Sequence, residues 1–189
     1  MLNTIYKEDR GLEFGKWSDR VSKLMYFEST EKILSLIHVP KSVADYGGAN
    51  GNLKTFIPQA ISIDIDTSKK PDIVDNILTH VGKYHLIVIR YVLHYLNDYE
   101  VINLFNHLKE FHTGQILVIQ FCNETLKEKY INSINEHKYF RTSNQLESLL
   151  PKFNLIYSKK YQCTKEFYKN RLNIKNAVEH QETINAYYI

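Results

Sequence analysis

The chain has 189 residues, of which 43% are hydrophobic and 24% are charged, and this composition excludes a disordered, collagen-like or disulfide-stapled protein. Its 24 basic and 21 acidic residues give a net charge of +3, far short of the clustered positive surface of a dedicated nucleic-acid binder. No apolar run approaches the roughly 20 residues that a membrane-spanning helix needs.

The first third of the chain changes from helical to strand periodicity near Pro40. Apolar residues recur at helical spacing before this point and alternate or run continuously after it. In chain order the pattern predicts a helical cover over residues 1–40, a buried strand at 42–46, a tight glycine-rich turn at 47–51, about two helical turns at 52–57 and a strand at 60–66.

The rest of the chain alternates strands with helices. The predicted elements are an extended segment at 73–78, a buried strand at 84–90, a helix with an apolar face from Leu93 to Leu108, a buried strand at 115–121, helices at about 124–136 and 143–150, and strands at 153–161 and 184–189. Such alternation indicates an α/β fold, a three-layer sandwich with a mostly parallel central sheet, in a single domain over residues 1–189.

Two details of this sheet can be predicted. The link from Asp66 to Asp72 is too short for the helix of a parallel crossover, so residues 73–78 should be irregular or form only a token edge strand. A last strand at 184–189 is expected at an edge of the sheet, where it could pair across a dimer.

The turn at 47–51 predicts a nucleoside-containing ligand. Glycines let the backbone pass close to a ligand, the residues after the turn offer free N–H groups, and a carboxylate about 20 residues later can accept two ribose hydroxyls. A nicotinamide or flavin fingerprint, counted from Gly47, needs glycine where the chain has Ala49 and Asn52. A dinucleotide is therefore not the expected ligand.

The spacing Asp45-x-Gly47-x-Ala49-x-Gly51 resembles the first motif of the class I S-adenosylmethionine-dependent methyltransferases. Three more segments match that family in order: Ile-Ser-Ile-Asp-Ile at 61–65, Pro-Asp-Ile-Val-Asp at 71–75, and the strand at 84–88 followed by Val-Leu-His-Tyr-Leu at 92–96. The resemblance covers roughly residues 43–121.

The resemblance implies S-adenosylmethionine as the cofactor and gives each motif residue a role. The methionine part would lie against Asp45, Gly47, Gly48 and Gly51 and along the backbone of Arg90, the ribose hydroxyls would bind Asp64, the adenine would pack on Ile65, and its amino group would bind Asp75 with Asn76 or Ile77 beside it. Alternatives remain from the residues alone: Asp66 could bind the ribose, and Asp45 and Asp75 could be ordinary turn acids.

Two residues depart from the family's pattern. Ala49 replaces the middle glycine, and its methyl group is tolerable only if the backbone angle φ is negative there. His85 stands where the family usually has an acid before its fourth strand.

The methyl acceptor is expected beyond the fourth strand. His94 is the first candidate for a general base because its unperturbed pKa lies near neutrality. Tyr91 could orient the acceptor or enclose the sulfonium by a cation–π contact. A cover over the acceptor is expected from Tyr6, Trp17, Tyr26 and a C-terminal insertion at about 162–183 that carries Tyr168 and Arg171.

These observations predict a methyltransferase that acts on oxygen or nitrogen of a small molecule. An RNA or protein methyltransferase and a catalytically silent cofactor-binding subunit are the alternatives. With two cysteines and no signal-peptide layout, a cytoplasmic protein is expected, without a membrane or zinc site, as a monomer or homodimer.

Overall fold

The computed structural model describes the central sheet and its connections. The described residues are 41–49, 51–55, 57–122, 139, 141–150, 154–163 and 180–188. The predicted helical cover at 1–40 and the predicted helix at 124–136 lie outside them.

Within the described residues, seven strands form one sheet. They are Val43–Tyr46 (β1), Ala60–Asp64 (β2), Ile73–Val74 (β3), Leu86–Arg90 (β4), Gln115–Cys122 (β5), Asn154–Cys163 (β6) and His180–Tyr188 (β7). Their order is β3-β2-β1-β4-β5-β7-β6. The strands β1 to β5 are parallel to one another, and β7 is antiparallel to both of its neighbours. The predicted α/β fold with a mostly parallel central sheet is confirmed.

The two inner strands β1 and β4 are covered on both faces, as their continuous apolar sequence predicts. All four residues of β1 are buried, and so are the first four of β4. Leu104 and Phe105 of the helix that follows β4 belong to the same apolar cluster as Ala44 and Ile87. The core therefore lies directly behind the strand ends that position the site.

That helix, α1, runs from Asp98 to Phe111 and begins later than predicted. Leu93 lies in a separate 3₁₀ turn, Leu93–Tyr95, although its apolar side chain continues the helical spacing. The reason is a capping box: the side chain of Asn97 accepts from the backbone of Glu100 at 2.9 Å, and Glu100 accepts in return from the backbone of Asn97 at 2.8 Å. A second capped helix, α2, covers Ser143–Leu149, close to its predicted range.

The two helical turns predicted at 52–57 are wrong. The structure has a single 3₁₀ turn, Asn52–Thr55, which buries Leu53. Pro58 follows almost at once, and the residue before a proline is biased away from helical angles. The segment is therefore too short to nucleate an α-helix.

The shortened link between β2 and β3 behaves as predicted, because β3 has only two residues. The link is a 3₁₀ turn, Thr67–Lys69, followed by a side-chain tether. The carboxylate of Asp72 accepts from both the backbone and the hydroxyl of Ser62, at 2.8 and 2.9 Å, and the Ser62 hydroxyl accepts from the backbone of Asp72 at 3.0 Å. These bonds hold the link against β2 where strand pairing is lacking.

The prediction that the last strand lies at an edge is wrong. β7 lies between β5 and β6, and the sheet ends at β3 and β6. It also begins at His180, while β6 extends to Cys163, so the predicted insertion at 162–183 is strand at both ends. Its middle, with Tyr168 and Arg171, is not described. Because β7 pairs with β5 on one side and with β6 on the other, β7 has no free edge to offer a second chain.

His85 lies at the amino end of β4, far from the ligand-binding end of the sheet. Its Nδ1 is 2.8 Å from the hydroxyl of Ser42. The histidine therefore joins two strand starts. No helix among the described residues is long and apolar enough to cross a membrane.

Candidate functional site

The carboxyl ends of β1 and β4 lie side by side where the strand order changes direction. The chain continues from β1 outward to β2 and β3, and then crosses to β4 on the other side of β1. Tyr46 at the end of β1 is in register with Ile89 of β4. In α/β sheets ligands bind in the crevice at such a point. The fold therefore brings the glycine-rich turn and the segment after β4 to one place.

The glycine-rich turn needs its glycines for two reasons. Gly47 and Gly51 have left-handed backbones, with φ of 68° and 73°. Gly47 also lacks room, because a Cβ atom there would lie 2.4 Å from Cγ2 of Val92. A Cβ atom at Gly48 would lie 2.8 Å from the carboxyl group of Asp45. The turn thus packs tightly on the segment after β4 and on the acid that precedes it.

Ala49 contradicts the prediction of a negative backbone angle, since its φ is 46°. This conformation costs an alanine roughly 1 kcal/mol or more. It directs the backbone N–H of Ala49 to Oδ2 of Asp64, at 2.9 Å. A hydrogen bond to a charged group contributes about as much as the conformation costs, and it explains why the chain tolerates alanine here.

Asp45 is buried beneath the turn, with 1% of its surface exposed. Within the part of the chain that the structure describes, its Oδ2 has no hydrogen-bond partner. Burial raises the pKa of Asp45 to about 7; the charge of Arg90 opposes the rise and that of Asp64 adds to it. A cation placed against this carboxyl group would relieve an unsatisfied buried acceptor.

Asp64 at the end of β2 is held by backbone N–H groups on both oxygens. Besides Ala49 on Oδ2, Oδ1 accepts from the backbone of Asp66 at 2.9 Å. A carboxylate has about four acceptor positions, so two remain for hydroxyl groups. Asp66 instead caps the following 3₁₀ turn by accepting from Ser68 at 2.9 Å. The geometry favours Asp64 over Asp66 as an acceptor for a ribose. Ile65 between them is 40% exposed.

Asp75 follows β3, next to Asp64, whose carbonyl accepts from the Asp75 backbone at 3.2 Å. The carboxylate of Asp75 lies 2.7 Å from Nδ1 of His80 and accepts from the backbone of Asn76 at 2.7 Å. These hydrogen bonds, that of His80 first, lower the pKa of Asp75. The side chain of Asn76 is used locally, accepting from Leu78 at 3.0 Å. Sequence reasoning missed His80, which no spacing distinguishes from other histidines.

Arg90 and Tyr91 border the crevice on the β4 side. Tyr91 has a left-handed backbone, with φ of 52°, although its N–H still bonds to Ile119 at 2.8 Å. A bulky residue in this region is an outlier of the kind that clusters at functional sites. The guanidinium of Arg90 lies 5.9 Å from the centre of the Tyr91 ring, a cation–π contact.

His94 lies in the 3₁₀ turn and is 2% exposed, so it is not at a helix start as predicted. The side-chain nitrogen of Gln120 donates to its Nδ1 at 3.0 Å. In this arrangement the ring proton therefore lies on Nε2, and that nitrogen has no lone pair left to accept another proton. His94 can act as a base at Nε2 only if the Gln120 amide turns its oxygen toward Nδ1.

Arg141 holds the 3₁₀ turn in place from a distance in sequence. The guanidinium donates to the backbone carbonyls of Leu93 and Leu96, both at 2.7 Å, and to the carboxylate of Asp98 at 2.7 and 2.9 Å. The backbone of Tyr139 donates to the carbonyl of His94 at 3.0 Å. Sequence reasoning missed Arg141 and Gln120, because nothing near either residue marks a partner more than 20 positions away.

The residues predicted for the cofactor lie at the carboxyl ends of β1, β2 and β4 and in the turns after β1, β2 and β3, and Tyr91 follows β4 directly. His94 is buried in the 3₁₀ turn that comes next. Five residues predicted for the acceptor lie outside the described residues: Tyr6, Trp17, Tyr26, Tyr168 and Arg171. Among the described residues no group of three or more His, Cys, Asp or Glu side chains could hold a metal ion.

Several solved structures are similar to this chain in fold. An S-adenosylmethionine-dependent methyltransferase from Methanosarcina mazei has a TM-score of 0.61 and 11% identity over 82% of this chain and 95% of its own. Coclaurine N-methyltransferase, bound to N-methylheliamine and S-adenosylhomocysteine, has a TM-score of 0.61 and 12% identity over 88% of this chain and 72% of its own. N-methyltransferase NodS from Bradyrhizobium japonicum WM9 has a TM-score of 0.61 and 12% identity over 88% of this chain and 95% of its own.

The chain has the fold of the S-adenosylmethionine-dependent methyltransferases of class I. No protein-family model and no curated protein sequence matches it. At 11–12% identity these structures establish the fold alone. Chemistry depends on the residues that this chain has at its site.

Proposed function

We propose that the chain binds S-adenosylmethionine and transfers its methyl group to an oxygen or nitrogen atom of a small molecule. The proposal depends on Oδ2 of Asp45, which is buried beneath the glycine-rich turn and has no hydrogen-bond partner among the described residues. The cofactor's methionine part carries an ammonium group, which is the kind of partner this oxygen lacks. The residues present therefore fit the cofactor.

The other carboxylates support the same ligand. Asp64 retains acceptor positions for two ribose hydroxyls, and Ile65 beside it offers an exposed apolar side chain to a purine. Asp75 presents a partly exposed carboxylate to the adenine amino group, with its side chain 44% exposed. The backbone at Arg90 would border the methionine end.

The bound cofactor supplies an electrophilic methyl group on a sulfonium. The chain's contribution is to hold the acceptor in line, which can provide much of the acceleration. In this proposal Tyr91, which has a left-handed backbone, orients the acceptor. His94 accepts the acceptor's proton at Nε2 when the Gln120 amide turns its oxygen toward Nδ1.

Small molecules are proposed as acceptors because the net charge of +3 provides little attraction for a polyanion. Coclaurine N-methyltransferase, one of the similar structures, holds a small molecule, N-methylheliamine. A catalytically silent cofactor-binding subunit is the second candidate, favoured by the methyl group of Ala49 in the turn and its positive φ.

Calorimetry with S-adenosylhomocysteine tests the cofactor. We expect micromolar binding to the wild-type chain and at least about tenfold weaker binding to Asp64→Asn, which loses the charged acceptor. Asp66→Asn is the matched control and should bind within about twofold of wild type. No binding at millimolar concentration, or a larger loss in Asp66→Asn, would contradict the assignment.

Turnover separates the two candidate functions. The chain is incubated with S-adenosylmethionine and pools of small amines and phenols, of RNA, and of peptides, and formation of S-adenosylhomocysteine is measured. Turnover with the small-molecule pool supports the proposal and eliminates the silent subunit. Turnover with RNA or peptides alone would move the acceptor class, and binding without any turnover would favour the silent subunit.

A further inference from the structure

A chain of three side chains runs from the predicted adenine site into the core. Oδ2 of Asp75 lies 2.7 Å from Nδ1 of His80, and Nε2 of His80 lies 3.0 Å from the hydroxyl of Tyr84. Because a carboxylate only accepts hydrogen bonds, Nδ1 of His80 carries a proton toward Asp75. Both ring nitrogens are thereby used, and the ring cannot turn without breaking two bonds.

The backbone and neighbours of His80 fix it further. Its N–H donates to the carbonyl of Asn76, and its own carbonyl accepts from Nε2 of His107, both at 2.8 Å. The ring of Tyr46 meets the imidazole edge-on, with centroids 5.8 Å apart and planes at 83°. His80 is 7% exposed overall. The imidazole is therefore a rigid support.

The group that His80 supports is open to the crevice. The Asp75 side chain is 44% exposed, while that of His80 is 8% exposed. One oxygen of Asp75 is held by His80 and the other by the backbone of Asn76. This pair of bonds fixes the plane of the carboxylate and leaves acceptor positions on its exposed side.

The same three residues do not form a nucleophilic triad. The member farthest from the crevice, Tyr84, has its pKa raised by burial and by the charge of Asp75, so its hydroxyl is less readily ionised than that of a free tyrosine. Its ring also packs closely on Gly82, where a Cβ atom would lie 2.4 Å from it. The exposed group that could contact a ligand is therefore the carboxylate of Asp75 at the opposite end from Tyr84.

We infer that His80 is a positioning residue that fixes the carboxylate of Asp75 to accept a hydrogen bond from the 6-amino group of the cofactor's purine. This inference rests on the proposed function. A fixed carboxylate accepts from a 6-amino group and repels a 6-oxo group, so it selects adenine over hypoxanthine. A carboxylate free to rotate can turn away from the oxo group and loses this selectivity.

The experiment measures by calorimetry the affinities of the full chain for S-adenosylhomocysteine and S-inosylhomocysteine. The inosyl ligand has an oxo group in place of the 6-amino group and a proton on the adjacent N1. We expect the wild-type chain to prefer the adenosyl ligand by at least about tenfold. His80→Phe, which keeps a ring but removes both nitrogens, should bring the ratio down to about twofold. His80→Asn, whose amide can replace the Nδ1 donor, should retain most of the wild-type ratio.

Two further variants keep the test decisive. His112→Phe removes another buried histidine, which bonds to Gln115 outside the crevice, and should leave the ratio unchanged. Tyr84→Phe, on a less buried residue, should lower the ratio by about two- to threefold, and it serves if His80→Phe does not fold. An unchanged ratio in a folded His80→Phe or Tyr84→Phe overturns the inference and leaves the proposed function standing. A wild-type chain that binds neither ligand contradicts the proposed function itself.

Discussion

The two sides of the crevice are built in different ways. On the β1–β3 side, the carboxylates are held by groups close in sequence: Asp64 by residues 2 and 15 positions away, and Asp75 by residues 1 and 5 positions away. On the β4 side, the turn that carries His94 is held by Gln120, 26 positions away, and its neighbour Leu93 by Arg141, 48 positions away.

Under the proposed function, this difference separates two tasks within a single molecule: cofactor binding on the β1–β3 side and acceptor placement on the β4 side. Local bonds make the β1–β3 side a preorganised set of acceptors for one ligand, with few ways to change. Long-range bonds make the β4 side dependent on Gln120 and Arg141, which are remote in sequence from the glycine-rich turn. We expect cofactor binding and acceptor placement to respond to different substitutions.

Gly47→Ala is the strongest attempt to break this separation, because Gly47 is where the two sides touch. The new Cβ atom would lie 2.4 Å from Cγ2 of Val92 and would require φ of 68°. We expect a loss of about 4 kcal/mol in the free energy of unfolding, measured with urea, and loss of cofactor binding. The double variant with Val92→Ala should lose at least 1 kcal/mol less than the sum of the single losses, and simple additivity would contradict the contact.

The pH dependence of the free energy of unfolding reports on Asp45 of β1. The pKa of Asp45 is about 7 in the folded chain and near 3.8 without burial, so the folded chain binds an extra proton between these values. The free energy of unfolding should therefore fall by about 3 kcal/mol from pH 5 to pH 8 on account of this group. Asp45→Asn should remove that fall in urea titrations at the two pH values; an equal fall in the variant would show another group to be responsible.

Cofactor affinity should follow the same group with the opposite sign. Binding of an ammonium favours ionised Asp45, so the affinity of the wild-type chain for S-adenosylhomocysteine should rise as the pH increases toward 7 and level off above it. The affinity of Asp45→Asn should be weaker and should lack this rise.

Arg141→Met changes the β4 side of the crevice. Without the guanidinium, the carbonyls of Leu93 and Leu96 lose their donor, which should cost about 2 kcal/mol in the free energy of unfolding. Hydrogen exchange should become faster at residues 93–98 and stay unchanged at residues 47–51, with the affinity for S-adenosylhomocysteine within about twofold of wild type. Arg141→Lys is the control and should lose less stability. A tenfold loss of cofactor affinity in Arg141→Met would contradict the separation.

Lys54→Met should have the smallest effect. Its ammonium lies 2.5 Å from the carboxylate of Asp72, but both side chains are more than one-third exposed. Exposed ion pairs contribute little, so we expect less than about 1 kcal/mol in urea unfolding. Ser62→Ala should cost more, since the Ser62 hydroxyl both donates to and accepts from Asp72. The reverse order would show that charge, and not the tether, holds the short link.

The sequence could predict what local patterns determine. The apolar run at β4, the glycine-rich turn after β1 and the token strand β3 all depend on neighbouring residues, and the structure has each of them. The later start of α1 was signalled by Asn97 and Glu100, whose capping box was outweighed by the apolar spacing that continues through Leu93.

Two other errors depend on contacts that the periodicity of the sequence does not report. The positive φ of Ala49 depends on Asp64, 15 positions later, and the inner place of β7 depends on its pairing with both β5 and β6. His80, Gln120 and Arg141 are ordinary residues in sequence and acquire their roles only from partners that the fold brings to them.

A crystal structure with S-adenosylhomocysteine would locate the ligand in the crevice. We expect the ammonium group against Oδ2 of Asp45, the ribose hydroxyls on Asp64 and the adenine amino group on Asp75. A crevice that stays empty at millimolar ligand, or one that binds a dinucleotide in its place, would contradict the proposed cofactor.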